Sequence, residues 1–273
     1  MNRQSSIRRN ASLEKANRLL LAFSEATPEL GVMDLARRVG LNKSTVSRFV
    51  ATLHELGLLE RVDHGRKYRL GLRVFELGTL AARHRPLFAQ AEPAVEKLAA
   101  SLRETVTLAV LLGRDLVFLH KADRGVDAAS AALGRRYPAH CSASGKALLG
   151  LLPVEDRTEY LSSRLARRTE SSIVVPRVLE RELEMAVEQG YAVDHQEFMV
   201  GVRSIAVPIH DRSGAAVAAI GLSGAARRIT PANVPTLAAQ LQRVASDVSR
   251  RLGHRPPVRV RPPAMLSDAS AVG

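Results

Sequence analysis

Met33-Asp34-Leu35-Ala36-Arg37-Arg38-Val39-Gly40-Leu41-Asn42-Lys43-Ser44-Thr45-Val46-Ser47-Arg48-Phe49-Val50 is the stretch from which the rest of the chain is read. Leu35, Ala36 and Val39 place an apolar stripe on a short helix, at i, i+1 and i+4. Gly40 then supplies a sharp turn, because glycine alone visits positive φ cheaply. Asn42 is a favoured N-cap for a second helix, its side-chain oxygen accepting from an otherwise unpaired amide of the first turn. Leu41 before it and Val46 after it sit where a hydrophobic staple belongs. Val46, Phe49, Val50, Leu53 and Leu56 recur with helical spacing and define one buried face, and Gly57 ends the run as a C′ glycine. The pattern predicts a helix-turn-helix.

The opposite side of the second helix holds Ser44, Ser47, Arg48 and Ala51, with Lys43 and Thr45 at its rim. Small residues let a helix lie close to base edges. An arginine reaches a guanine, and hydroxyls reach bases or phosphate. A plain surface helix in a three-helix subdomain has the same apolar spacing, so the residues after Gly57 decide between the two. There, Leu58 to Val62 and Lys67 to Leu70 are two short extended runs around Asp63-His64-Gly65-Arg66, a hairpin signal. Arg66, Lys67 and Arg69 fall on the outer side of this hairpin, while Tyr68 and Leu70 are expected to face inward. A basic hairpin after three helices is a winged helix-turn-helix. In that arrangement Lys43, Ser44, Thr45, Ser47 and Arg48 read the major groove, Arg66, Lys67 and Arg69 meet the backbone at the wing, and Arg37 and Arg38 are phosphate candidates.

Charge distribution agrees. The chain of 273 residues has a formal net charge of +13. Residues 1–71 hold 13 Lys/Arg against 7 Asp/Glu, a net of +6, while residues 72–253 hold 24 against 19, +5 over more than twice the length. The electropositive quarter is the one that would meet phosphate. A single cysteine forms no internal disulfide, and no Cys/His spacing matches a zinc site, so neither metal nor cofactor is expected. No apolar run approaches a membrane span. Met1 to Asn10 has arginines without the apolar core of a signal peptide, and a cytoplasmic protein is expected.

In chain order, residues 1–11 read as a disordered basic arm and 12–71 as the DNA-binding domain, its first helix capped by Ser12. Residues 72–85 read as a linker helix, apolar on more than one face and therefore expected to pack against a partner chain. Residues 86–253 form a second, α+β domain of antiparallel hairpins and helices, beginning with a helix through Pro93, Val95 and Leu98 and closing with one capped by Thr230 with Pro231 at N1. Residues 254–273 are an Arg/Pro-rich tail expected to be disordered. Ser142-Ala143-Ser144-Gly145 opens a short helix in this domain. Exposed amides there suit an anion, although an ordinary capped helix has the same residues.

These residues resemble the IclR (isocitrate lyase regulator) family of bacterial transcription factors, from about Ser12 to Gly253. The matching passages include 41–48, Leu56-Gly57-Leu58-Leu59-Glu60, Ala143-Ser144-Gly145-Lys146-Ala147-Leu148-Leu149, Gly190-Tyr191-Ala192-Val193-Asp194, 201–208 and Ile229-Thr230-Pro231. The resemblance implies a winged-helix domain, a linker helix and a GAF-like effector domain with a six-stranded antiparallel sheet. It further implies a homodimer or homotetramer on a palindromic double-stranded DNA operator, responding to a small organic or aromatic acid. By the same resemblance, the effector pocket falls to the amides of Ala143 and Ser144, to Asp194, and to Ser204, Gly221 and Ser223. The chain departs from the family pattern in places: Ala143-Ser144 replaces a frequent Gly-Ala, Gly221 replaces a serine, and Ser204 stands where a cysteine can occur.

The competing class is a small-molecule hydrolase with an appended nucleic-acid-binding domain, using Cys141 with His140, Asp194 or His195. On an extended segment His140 and Cys141 point to opposite faces, so the histidine is badly placed to activate the thiol, and a plain buried cysteine is the simpler reading. A nucleoid-type binder without a ligand is the third class. Arg203 and His120 read as pocket-wall or salt-bridge residues, and the arginines at 164–168 as solvated surface.

Overall fold

The computed structural model describes residues 10–24, 26–62, 66–83, 85–123 and 132–255, and the chain divides into two units, Met1–Arg85 and Pro86–Gly273. The expected basic arm and tail, apart from residues 10–11 and 254–255, lie outside the described residues, as do residues 63–65 of the wing.

In the first unit, helix α1 (Ala11–Leu20) starts one residue before the expected cap. Asn10, not Ser12, caps it, its side-chain oxygen accepting from the amides of Ser12 and Leu13. Strand β1 (Leu30–Gly31), α2 (Val32–Val39) and α3 (Lys43–Glu55) come next. Gly40 takes the left-handed conformation at φ 64°, and the Asn42 side chain accepts from the Thr45 amide at 2.8 Å. The core joins Leu19, Leu35, Val39, Val46, Val50 and Leu53 to Leu59 and Tyr68. Leu56 does not join it and is 58% exposed. The helix stops at Glu55, and Gly57, at φ 72°, reverses the chain so that Leu59 fills the core instead.

Strands β2 (Leu59–Val62) and β3 (Lys67–Leu70) make the wing hairpin, with β3 also pairing to β1 through Leu30↔Tyr68 and Gly31↔Lys67. β1 is not legible in the sequence, because two residues carry no alternation. Its shortness also corrects the reading of Leu70. β1 begins only opposite Tyr68, so nothing of it covers Leu70, which is 41% exposed while Tyr68 is buried. Helix α4 (Leu72–Arg83) leaves Leu72, Phe75, Leu77 and Leu80 exposed.

The second unit contains α5 (Pro86–Leu102), β4 (Thr105–Leu112), β5 (Asp115–Ala122), β6 (Arg136–Pro138), a 3-10 turn at Ala139–Cys141, α6 (Ala143–Leu149), α7 (Val154–Ser162), α8 (Pro176–Gln189), β7 (Ala192–His195), β8 (Val202–His210), β9 (Ala216–Ala225) and α9 (Val234–Arg251). The six strands form one antiparallel sheet in the order β6-β5-β4-β9-β8-β7. Helix α9 starts later than expected. Asn233 precedes it and binds Thr230 N and Arg228 O through its side chain, and Pro235 rather than Pro231 lies in the first turn.

The pleat sorts the side chains into two layers. Ile205, Val207 and Ile209 of β8 and Ala218, Ile220 and Leu222 of β9 pack on α5 and α9. The alternate positions face α6, α7 and α8, where Ala109, Phe118 and Ala219 meet Leu148, Leu149, Tyr160, Leu179 and Leu183. Near α6 this second face is lined by small residues, Ala192 and Ala206 against Ala143, Ala147 and Ala186, so helix and sheet approach closely. Gly145 makes the approach possible, since a β-carbon there would stand 1.9 Å from the Ala139 carbonyl oxygen.

Candidate DNA-reading face and effector cavity

On α3, Lys43, Ser44, Ser47 and Arg48 are exposed and Thr45 is half-buried, so the polar face expected from helical spacing lies on the surface. The Ser44 hydroxyl donates to the capping Asn42 oxygen at 3.1 Å. The neighbouring basic residues divide by what they already hold. Arg37 is 3.7 Å from Asp34 and largely exposed. Arg38 donates to the Ala22 carbonyl (3.0 Å) and to Thr27 Oγ1 (2.9 Å), tying α2 to the turn after α1. Arg69 is paired with Glu60 at 2.9 Å. Glu60 also accepts from the Leu72 amide at 3.1 Å, and this hydrogen bond, then that from Arg69, holds its carboxyl below the usual range. Arg66 and Lys67 are exposed.

In the second unit, antiparallel register sets Thr105 opposite Ser223, Ser223 opposite Ser204, and Ser204 opposite Asp194. One polar row thus crosses β4, β9, β8 and β7 on the face that α6 covers. The next row holds Thr107, Gly221, Ala206 and Ala192. Above them Ser142, Ala143 and Ser144 open α6, and the partly open cavity between has a volume of about 30 Å³, room for roughly two waters. Ala143, Ser144, Asp194, Ser204, Gly221 and Ser223 all line it, with Thr105, Thr107, Phe118 and Phe198. Ser142 uses its side chain on the Gly145 amide and its carbonyl on the Lys146 amide.

Asp194 is the charged group in this wall. Its Oδ1 accepts from the amides of Glu197 (2.6 Å) and Phe198 (3.3 Å), whereas Oδ2 is buried with no partner. Burial, and then the nearby Glu197 carboxylate, push its pKa up to about 7. Behind it, Lys146 is fully buried on α6 and donates to Glu197 Oε1 at 2.7 Å and to Glu182 at 3.4 Å. A buried ammonium is tolerated only when paired. One cation therefore stands among three carboxylates beside the cavity.

Two family models cover most of the chain, the bacterial transcriptional regulator IclR C-terminal domain over residues 79–250 and the IclR helix-turn-helix domain over residues 12–63. The chain belongs to the IclR family of bacterial transcriptional regulators. It is 34% identical to the HTH-type transcriptional regulator KdgR of Dickeya chrysanthemi, across 89% of this chain and 80% of that protein. It is also 34% identical to the glycerol operon regulatory protein of Streptomyces coelicolor, across 89% and 96%. The structure of an IclR homologue from Microbacterium hydrocarbonoxydans, complexed with 4-hydroxybenzoate, superposes with a TM-score of 0.79 at 30% identity, over 89% of this chain and 99% of that one. The protein is thus an IclR-type regulator with a helix-turn-helix domain and an effector-binding C-terminal domain, and not an enzyme.

In this IclR-family chain the two residues of the hydrolase reading are placed differently than expected. His140 and Cys141 lie in a 3-10 turn rather than on an extended segment. His140 Nε2 faces the Ala166 carbonyl (3.0 Å), which fixes the proton there, and Nδ1 accepts from the Tyr160 hydroxyl (2.8 Å). Burial lowers the histidine's pKa and pushes the Cys141 thiol up to about 11. His140 is therefore spent on Tyr160 and Ala166, and the thiol stays protonated.

Arg203 and His120 stand outside the cavity wall. Arg203 donates to the carbonyls of Ala226 and Ile229, and His120 pairs with Glu96 at 3.1 Å. Arg164, Arg167 and Arg168 are exposed, and the Arg168 guanidinium also lies 4.3 Å over the Phe198 ring. Sequence reasoning misses the pair Lys146 and Glu197. The available signal is a lysine beside the apolar run Ala147-Leu148-Leu149, which cannot be buried without an acid, but nothing in sequence says which one.

Proposed function

We propose that this regulator binds a palindromic double-stranded DNA operator as a homodimer or homotetramer, in the cytoplasm, and that a small organic or aromatic acid in the second unit changes its DNA affinity. The exposed polar face of α3 is the observation that carries the reading. Lys43, Ser44, Thr45, Ser47 and Arg48 enter the major groove, Arg66, Lys67 and Arg69 meet the backbone at the wing, and Arg37 and Arg38 approach phosphate beside them. Arg69 and Arg38 do so with their internal hydrogen bonds in place, which makes them weaker contacts than Lys67 and Arg66. The exposed leucines and Phe75 of α4 support self-association, since an apolar helical face is stable in water when covered. Among the described residues no helix is long and apolar enough to cross a membrane.

The effector is placed against Ala143, Ser144, Asp194, Ser204, Gly221 and Ser223. Support comes from their sharing one cavity and from the ligand-bound homologue. Effector and operator then affect one another's binding by a coupling of about 1–3 kcal/mol. Footprinting of Arg48→Ala on the operator tests the reading. It should lose about 1–3 kcal/mol and relax discrimination at one base position; a footprint and affinity equal to wild type would refute this docking.

A further inference from the structure

We propose that the cavity selects a small molecule carrying hydroxyl groups, such as a hydroxy acid or a small polyol, over an acid that has none. The inference rests on the reading that this cavity holds the effector and narrows its chemical class.

The lining sets the terms. Thr105 is already committed, its hydroxyl donating to Asp123 at 2.8 Å, and Ser142 is used as a cap. Thr107, Ser144, Ser204 and Ser223 remain as the hydroxyls around the space. Ser223 donates to Ser204 at 3.0 Å, which leaves the Ser204 proton to be given to another acceptor. Thr107 reaches the Gly221 carbonyl only at 3.5 Å. Asp194 Oδ2 needs the reverse, a donor, and among the described residues it has none. A ligand that fits must donate to a carboxyl and also accept from serine and threonine. Hydroxyl groups do both at one atom, whereas an ammonium only donates.

The wall around these hydroxyls is rigid. The two rings in the wall are held in place rather than poised to swing aside. Phe118 and Phe198 make edge-to-face contacts with Tyr137 at 5.7 and 5.0 Å, and Arg168 covers Phe198 from outside. Over Gly221 the space is closed by the hydroxyl oxygens of Ser144 and Thr107. A ligand without hydroxyl groups would leave several of these buried groups unpaired, each at a cost.

The test is calorimetric titration of the full-length protein with glycerate, threonate, erythritol, propionate, benzoate and 4-hydroxybenzoate. At least one of the first three should bind, and propionate, glycerate without its hydroxyls, should bind at least about tenfold more weakly. Asp194→Asn keeps an oxygen for the Glu197 and Phe198 amides, and Thr107→Val is near-isosteric; each should weaken the hydroxylated ligand by about tenfold. Tighter binding of benzoate than of 4-hydroxybenzoate and the three aliphatic hydroxylated compounds, or equal binding of propionate and glycerate, would overturn the class while leaving the cavity as the effector site. Binding that neither variant alters would overturn the cavity reading itself. Binding of none of the six compounds would overturn the proposal.

Discussion

The hydroxyl oxygen of Ser144 stands 2.7 Å from the point where a β-carbon on Gly221 would lie, and Thr107 Oγ1 stands 2.9 Å from it. Two of the three departures noted in the sequence, Ser144 and Gly221, meet at this contact, where the hydroxyl on α6 occupies the space that a side chain on β9 would need. Gly221→Ser alone should therefore destabilise the second unit by about 1–3 kcal/mol, through overpacking. Gly221→Ser with Ser144→Ala should recover much of that loss. Denaturant unfolding of the four proteins of the cycle measures the coupling, and additive effects would show that the two positions do not compensate.

Lys67 and Arg69 lie on the same side of β3, but only Arg69 is paired with Glu60. Lys67→Ala should weaken binding to all DNA sequences alike and reduce the slope of log K against log salt by about 0.9. Arg69→Ala should change affinity less than Lys67→Ala does, because its charge is already offset by Glu60. Fluorescence anisotropy across a salt series separates the two. A larger effect from Arg69 would mean that it leaves Glu60 on binding.

Lys146 and Glu197 join α6 to the turn after β7 at 2.7 Å, with Lys146 wholly buried. Lys146→Met strands a buried carboxylate and should cost about 3–5 kcal/mol. Adding Glu197→Gln removes the stranded charge and should restore part of the stability. Thermal unfolding of the single and double variants gives the comparison, and a double variant no better than Lys146→Met would show that the charge is not the cause.

Asp194 makes stability depend on pH in a definite direction. Its folded pKa is raised from the ordinary 3.8 to about 7, so the folded state holds its proton more tightly. This contribution is present in full below about pH 4 and is lost as pH rises through about 7. Glu197, also raised by burial, acts in the same direction, whereas the lowered pKa values of His140 and His195 oppose it. The informative quantity is thus the difference in Tm between wild type and Asp194→Asn, which should fall as pH rises from about 4 to 7. A flat difference would show that Asp194 is not the group responsible.

By itself the sequence determined the parts whose physics is local. The turn at Gly40, the cap at Asn42, the C′ glycine at Gly57 and the spacing of Val46, Val50 and Leu53 each depend on residues within a turn or two. They are therefore readable as helix-turn-helix, and the polar face of α3 comes from the same periodicity. The pieces of the proposed effector cavity are nameable only through resemblance, because Ala143, Ser144, Asp194, Ser204, Gly221 and Ser223 are scattered along the chain, and Thr105 and Thr107 are not nameable even so. Tertiary structure decided the rest. Register across four strands put Thr105, Ser223, Ser204 and Asp194 in one row. Close packing of α6 on the Ala139 backbone made Gly145 obligatory, the Ser144 and Thr107 hydroxyls left room for glycine at 221, and the fold chose Glu197 as the partner of Lys146. It also decided against Leu56 and Leu70, whose spacing suited the core but whose neighbours end too soon to cover them. Helical and strand periodicity say which residues share a face; only the neighbouring elements determine whether that face is covered.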